Sequence, residues 1–279
     1  MRVAVSNGRV GLVVDGRFVD AAASGDLSGE PARIFEEWDV LRALADSIQD
    51  ASAHPPVDEA SLELPGPLPH NVFGVGLNYG DHATESAMEL PKVPLVFMKA
   101  ATSVVGPSEP VVLRSDAVDW EAELVIVIGK DCVDVEPEDA WSVIAGFTVG
   151  QDLSDREVQF EAGANAQFGL GKSAPGYGPI GPWIVTADEL PDDLALEIGC
   201  EVNGAQKQHS NTEHLIFDVP TLVSFLSRRA RLLPGDLIFS GTPSGVGWGR
   251  SPKEYLAPGD VLTTTIGGIG TLTTRTVAP

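Results

Sequence analysis

The segment VDWEAELVIVIG, residues 118–129, sets Asp119, Glu121 and Glu123 at two-residue intervals ahead of a run, Leu124 to Ile128, that is apolar at every position. Side chains alternate along a strand, so the three carboxylates share one face. An unbroken apolar run predicts a strand covered on both sides. Carboxylates leading into such a strand need a partner, and a hard divalent cation with oxygen ligands satisfies two at once. A solvated acidic edge strand accounts for the same spacing, because acidic side chains are mostly exposed. The third ligand is expected from a neighbouring strand end. Asp152, in GFTVGQDLSD, sits where a strand gives way to a helix, a position that equally suits a helix N-cap.

Three further stretches carry residues able to do chemistry. In NYGDHATE, residues 78–85, Tyr79, His82 and Glu85 recur every third position, so one helical face would stack them. A histidine oriented by a glutamate is a general base, and the same pair is an ordinary surface contact. FGLGKSAPGYGPIGPW, residues 168–183, holds Lys172 in a glycine-rich loop whose spacing is not that of a phosphate loop. That lysine either stabilises an oxyanion or carboxylate or lies exposed. The backbone amides of SGTPSGVG, residues 240–247, could cradle a carboxylate or form only a turn. His209 and His214 lack helical zinc spacing, and Cys132 and Cys200 lack a CxxC context.

The surroundings restrict what these residues can serve. With 18 basic against 40 acidic residues the net charge is −22, which repels phosphate backbones and anionic membranes and argues against nucleic-acid or membrane partners. An anionic substrate then requires a local reversal of the field, which a bound cation supplies. No apolar stretch reaches bilayer-spanning length. The first twenty residues, with Asn7-Gly8 and Asp15-Gly16, predict hairpin turns and not a signal peptide. Two cysteines make no disulfide framework, and a reducing cytoplasm is the expected setting.

The chain divides into a predicted small N-terminal α+β cap over 1–65 and a mostly β catalytic domain over 66–279, with the Pro-rich ASAHPPVDEASLELPGPLP as connector. Ile34, Trp38, Leu41, Leu44 and Ile48 predict a helix within 31–50. Beyond the connector the helices are few: PEDAWSVIAG, SDREVQFEAG, and DVPTLVSFLSRRA with Asp218 as cap. LLPGDLIFSGTPSGVG and LAPGDVLTTTIGGIG echo one another, as two similar hairpins or as chance recurrence of a common turn.

The ordered set N-Y-x-x-H-x-x-E, F-x-K, D-x-E-x-E-L, Q-D-x-x-x-R-x-x-Q, G-K, V-N-G, G-T-P-x-G-V-G, P-G-D and G-x-G-x-L resembles the fumarylacetoacetate hydrolase family over residues 71–277. The resemblance implies a mixed β-roll or sandwich with few helices, typically a homodimer. It implies Mg²⁺ or Mn²⁺ at the site, with Ca²⁺ able to substitute in a crystal. Carried over by position, it makes Glu121, Glu123 and Asp152 metal ligands, His82 and Glu85 a catalytic dyad on a lid, and Lys172 the active-site lysine. Arg156, Gln159 and Thr242 match substrate contacts, and Tyr79 an aromatic beside the substrate. Many members continue G-K as G-K-x-F-D, whereas this chain reads GKSAPGYGPIGP, which implies a differently shaped loop. The implied reaction is hydrolysis of a C–C bond in an acylpyruvate, a small anionic 2-oxo acid of the fumarylpyruvate type, as in aromatic catabolism. Decarboxylation, tautomerisation or hydration of a 2-oxo (di)acid such as oxaloacetate uses the same metal site, and non-catalytic binding of a 2-oxo acid is the third alternative.

Overall fold

A computed structural model describes residues 1–80, 90–163 and 165–279. The chain is mostly β, with short helices. Ten strands form one sheet, whose main path runs in the order Arg17–Asp20, Arg9–Val14, Arg2–Ser6, Gly178–Val185, Ile144–Gln151, Ala122–Ile128, Leu237–Phe239, Val72–Gly76 and Leu95–Lys99. The tenth, Val104–Val105, pairs alongside Gly178–Val185. Five more strands, Ala205–Asn211, Glu197–Val202, Val261–Ile266, Gly270–Val277 and Val111–Val112, form a second sheet. One continuous core joins the two, with Leu124, Phe147 and Val149 in the same buried cluster as Ile198, Leu262 and Leu272.

The strand Ala122–Ile128 is buried at every position, as its unbroken apolar run predicts. Leu124, Ile126 and Ile128 belong to the cluster shared with the second sheet, while Val125 and Val127 pack with Ile180, Leu237 and Phe239. Glu121 and Glu123 continue the odd-numbered face of Val125 and Val127. Burying such side chains contributes about 1.5–3 kcal/mol each, which makes the strand a stiff support for the carboxylates at its start. Gly150 lies opposite Glu123 in the register, and a Cβ there would stand 2.5 Å from Val125 Cγ2, so only glycine lets the two strands close.

At the N-terminus, Asn7 and Gly8, then Asp15 and Gly16, all take positive φ and close two-residue hairpins as predicted. The strand Arg2–Ser6 pairs antiparallel with Gly178–Val185, so the first residues extend the large sheet, while Val3, Val5, Leu12, Ile34 and Leu41 form a core cluster of their own. The predicted 31–50 helix is shorter: a 3₁₀ turn at Pro31–Arg33 and an α-helix at Trp38–Ser47, with Ile34 and Ile48 as their C-caps. The echoed segments are not similar hairpins. Leu237–Phe239 is a single strand parallel to Val72–Gly76, whereas Val261–Ile266 and Gly270–Val277 form a true hairpin. What recurs is the turn, in which Asp236 accepts from Leu233 N and Asp260 from Ala257 N.

Candidate metal centre

Strand register assembles the centre. The strands Ala122–Ile128 and Ile144–Gln151 run antiparallel with Gln151 opposite Ala122, so the residue after Gln151 meets the residue before Ala122. Asp152 N donates to Glu121 O at 2.9 Å, and Glu121 N to Gln151 Oε1 at 2.9 Å. Glu121, Glu123 and Asp152 are all buried and each offers a carboxylate oxygen, all within 4.8 Å of one another. The helix N-cap is not Asp152. Asp155 has that place, accepting from Glu157 N and Val158 N ahead of the helix Arg156–Phe160.

Three buried cations surround the carboxylates. Lys172, capping the short helix Phe168–Gly171, donates from Nζ to Asp152 Oδ2 at 2.6 Å and Glu121 Oε2 at 2.7 Å. Arg156 donates from Nη2 to Glu121 Oε1 and to Asp119 Oδ2, both at 2.7 Å, and from Nη1 to Gln159 Oε1 at 2.8 Å. Lys99 donates to Asp152 Oδ1 at 2.5 Å and to the carbonyls of Lys172 and Tyr177. Asp119 is fully buried and also accepts from Gly247 N and Trp248 N, so it ties Arg156 to the loop after the Gly-Thr-Pro turn.

Four carboxylates (Asp119, Glu121, Glu123, Asp152) thus face three cations, and the surplus falls on Glu123. Glu123 Oε2 accepts from Gly241 N at 2.8 Å and, among the described residues, makes no ion pair. Burial, followed by the charges of Asp152 and Glu121, drives its carboxyl well above the usual range. Burial also acts to lower the Lys172 ammonium, but Asp152 and Glu121 more than offset this and hold it above its ordinary value. Lys99 is pushed down, chiefly by burial. A buried all-oxygen donor set one positive charge short of balance fits a hard divalent cation of the Mg²⁺ or Mn²⁺ kind.

The remaining sequence candidates divide. Arg156, Gln159 and Lys172 all lie in or beside the centre. Thr242 is beside it, its hydroxyl donating to Ala122 O and accepting from Gln208 Nε2, so it braces the strand between the two glutamates. Tyr79 is fully buried, its backbone bridged to Leu215. His82 and Glu85 lie outside the described residues. Sequence reasoning gave no role to Lys99, although a lysine closing the apolar run LVFMK was a visible signal. Gly241 is held at φ 105°, with its amide aimed at Glu123. No helix among the described residues is long and apolar enough to cross a membrane.

The comparisons with known proteins agree on one family. A Mycobacterium smegmatis protein assigned the name HpcE is 46% identical, with a TM-score of 0.90 over 100% of this chain and 99% of that one. A 2-hydroxyhepta-2,4-diene-1,7-dioate isomerase from Mycobacterium marinum is 40% identical over 78% of each chain, with a TM-score of 0.67. A maleylpyruvate hydrolase from Sphingobium, solved with manganese(II) and pyruvate, is 28% identical, with a TM-score of 0.81 over 100% of this chain and 99% of that one. The model of the fumarylacetoacetate (FAA) hydrolase C-terminal domain matches residues 71–277, from the strand Val72–Gly76 to the end of the last hairpin and across the whole acidic centre. With the motif order, the fold and that match in agreement, the chain belongs to the fumarylacetoacetate hydrolase family.

Proposed function

We propose that this protein is a divalent-metal-dependent hydrolase that cleaves the C–C bond of an acylpyruvate, a 2,4-dioxo acid, releasing pyruvate and the acid of the distal acyl group. The observation that carries the reading is the surplus carboxylate at Glu123 in a buried triad ringed by Lys172, Arg156 and Lys99. Glu121, Glu123 and Asp152 would hold Mg²⁺ or Mn²⁺, which supplies Lewis acidity and a template for the 2-oxo acid end when bound. A charge of two then turns the centre from one negative to one positive, the reversal that a carboxylate substrate needs in a protein of net charge −22. Arg156, held by Asp119, Glu121 and Gln159, keeps one Nη1 hydrogen and its positive charge for the substrate carboxylate. Lys172 stabilises the negative charge that grows on the substrate oxygen as the bond breaks. By the family resemblance, His82 and Glu85 would serve as the dyad that takes the proton of the attacking water. The manganese and pyruvate in the Sphingobium hydrolase support this reading.

The higher identity to the Mycobacterium marinum isomerase favours tautomerisation of a 2-oxo acid as the second reading. One assay separates them. Purified protein with Mg²⁺ or Mn²⁺ is offered a 2,4-dioxo acid, oxaloacetate and an unsaturated 2-hydroxy diacid, and pyruvate, carbon dioxide and isomer absorbance are followed. Stoichiometric pyruvate and acid from the dioxo acid, lost with chelator and in His82→Ala, is the expected result. Isomer absorbance or carbon dioxide without acid release overturns the hydrolase reading.

A further inference from the structure

The two oxygens of the Asp152 carboxylate are taken by different lysines: Oδ1 accepts from Lys99 Nζ at 2.5 Å and Oδ2 from Lys172 Nζ at 2.6 Å. The two ammonium groups are held in unlike ways. Lys99 closes the strand Leu95–Lys99 opposite Val72, and its side chain is wholly shielded from solvent. Its three hydrogens meet three acceptors: Asp152 Oδ1, Lys172 O and, at 3.2 Å, Tyr177 O. Those two carbonyls stand at the two ends of the loop 172–177, the stretch in which this chain departs from G-K-x-F-D. Neighbouring residues tighten the same join, with Leu153 N donating to Tyr177 O at 3.0 Å and Ala100 N to Ser173 Oγ at 2.8 Å.

Lys172 has the opposite allegiance. Among the described residues its Nζ donates to Glu121 Oε2 and Asp152 Oδ2, both carboxylates of the triad. A divalent cation held by the triad competes for those same oxygens and repels an ammonium beside it. One lysine must then give way at Asp152. Lys99 has no solvent to withdraw into, and leaving its place would strip a buried ammonium of two carbonyl acceptors as well as the carboxylate. Lys172 has somewhere to go. The ring of Phe97, which shares a strand face with Lys99, has its centroid 5.2 Å from Lys172 Nζ, within the range at which an aromatic face attracts a cation.

Resting on the metal-binding part of the proposed function and not on its substrate, we propose that Lys99 is a positioning residue. It fixes Asp152 and the loop 172–177 as one unit, so that Lys172 alone releases Asp152 when a divalent cation binds, while its backbone stays beside the centre. The lysine that neutralises the metal-free triad thereby becomes the one free to meet charge on a bound molecule.

Calorimetry with Mn²⁺ on wild type, Lys99→Met and Lys172→Met tests this, together with amide exchange over 172–177 in chelator. Removing a nearby positive charge by itself strengthens cation binding, so charge alone predicts tighter binding in both variants. Positioning predicts a split: Lys99→Met binds Mn²⁺ tenfold or more weakly, and Lys172→Met at least as tightly as wild type. The amides of Ser173 and Tyr177 also exchange faster in Lys99→Met, beyond any global change. Unweakened Mn²⁺ binding in Lys99→Met, or unchanged exchange over 172–177, overturns the proposal and leaves the metal centre standing. Wild type that binds no Mn²⁺ brings down the metal reading, and this proposal with it. If Lys99→Met does not fold, a crystal structure of wild type with Mn²⁺ decides. Lys99 Nζ kept on Asp152 and both carbonyls, with Lys172 Nζ gone from Asp152, upholds the proposal. Lys172 still on Asp152, or Lys99 displaced, overturns it.

Discussion

The ammonium of Lys172 lies 2.6 Å from Asp152 Oδ2, so a lysine and a divalent cation lay claim to the same carboxylate. Lys172 Nζ also reaches Glu121 Oε2 at 2.7 Å, and so touches two of the three triad residues. The lysine keeps the triad compact against its own repulsion and, in the proposed reaction, would meet the charge that develops on a substrate held there. The two duties separate in a variant. Lys172→Met removes a competing positive charge, so Mn²⁺ binds at least as tightly as in wild type, while turnover falls about 10²–10³-fold, the usual loss for one oxyanion donor. Calorimetry with Mn²⁺ beside steady-state kinetics gives both values, and weakened metal binding with intact turnover would reverse the assignment.

Glu123 sets the pH response. Its unfolded carboxyl titrates near 4.5, and burial with the charges of Asp152 and Glu121 raises the folded value well above that. Between the two values the folded chain holds the extra proton, so the stability of metal-free protein falls as pH rises through that window. A bound divalent cation displaces the proton, so metal affinity rises with pH over the same range. Urea unfolding in chelator across a pH series, and metal titrations in two buffers of different ionisation enthalpy, check both signs. Metal binding without proton release contradicts the account.

Removing the ligand itself is the sharper test of the triad. Glu123→Gln keeps the volume and the acceptor for Gly241 N while removing the charge. Metal affinity should fall more than about 100-fold, since even residues behind the ligands cost 10–100-fold when changed. Folding should be unharmed, or improved at neutral pH where the raised carboxyl is a burden. Equilibrium dialysis with Mn²⁺ and thermal unfolding in chelator measure the two effects.

Much of this centre was legible in the sequence because strand alternation is a strict rule. Glu121 and Glu123 on one face, and an apolar run buried on both, follow from spacing alone. Asp152 was legible as a strand end but not as a ligand in preference to a cap. The cap was ruled out by Asp155, three residues on, whose side chain caps the helix. Lys99 and Asp119 were not legible in their roles, because both act on residues distant in sequence. Lys99 spans to Asp152 across 53 positions, and Asp119 to Trp248 across 129. The echoed Pro-Gly-Asp segments mislead for the opposite reason: a local turn is encoded locally and says nothing about which sheet receives the next strand.

Asp119 and Arg156 form a fully buried ion pair, with Arg156 also bonded to Glu121. Deleting one partner of such a pair leaves a charge stranded away from water, a loss of about 3–5 kcal/mol. Asp119→Ala should cost that much in chemical unfolding. It should also free the 245–249 loop, which loses the acceptor for Gly247 N and Trp248 N. Faster exchange of those two amides, beyond any global change, distinguishes loss of the anchor from general destabilisation.

Gly241 shows how tightly the backbone is fitted to the centre. Its φ of 105° lies in the region that favours glycine, and a Cβ there would stand 2.7 Å from Asn78 Cβ and 3.1 Å from Val75 O. Asn78 cannot yield freely, because its amide donates to Ser240 O at 2.8 Å and Phe217 O at 3.0 Å. An alanine must therefore turn the backbone, at about 1–3 kcal/mol of strain. The turn also swings the Gly241 amide away from Glu123 Oε2. Gly241→Ala is expected to lose stability by that amount and to weaken Mn²⁺ binding, although no ligand has been changed. Thr242→Ser, which keeps the hydroxyl that donates to Ala122 O, should do neither. Equal loss of metal affinity in both variants would mean that any disturbance of this turn reaches the metal site, and that the Gly241 amide has no special part in holding Glu123.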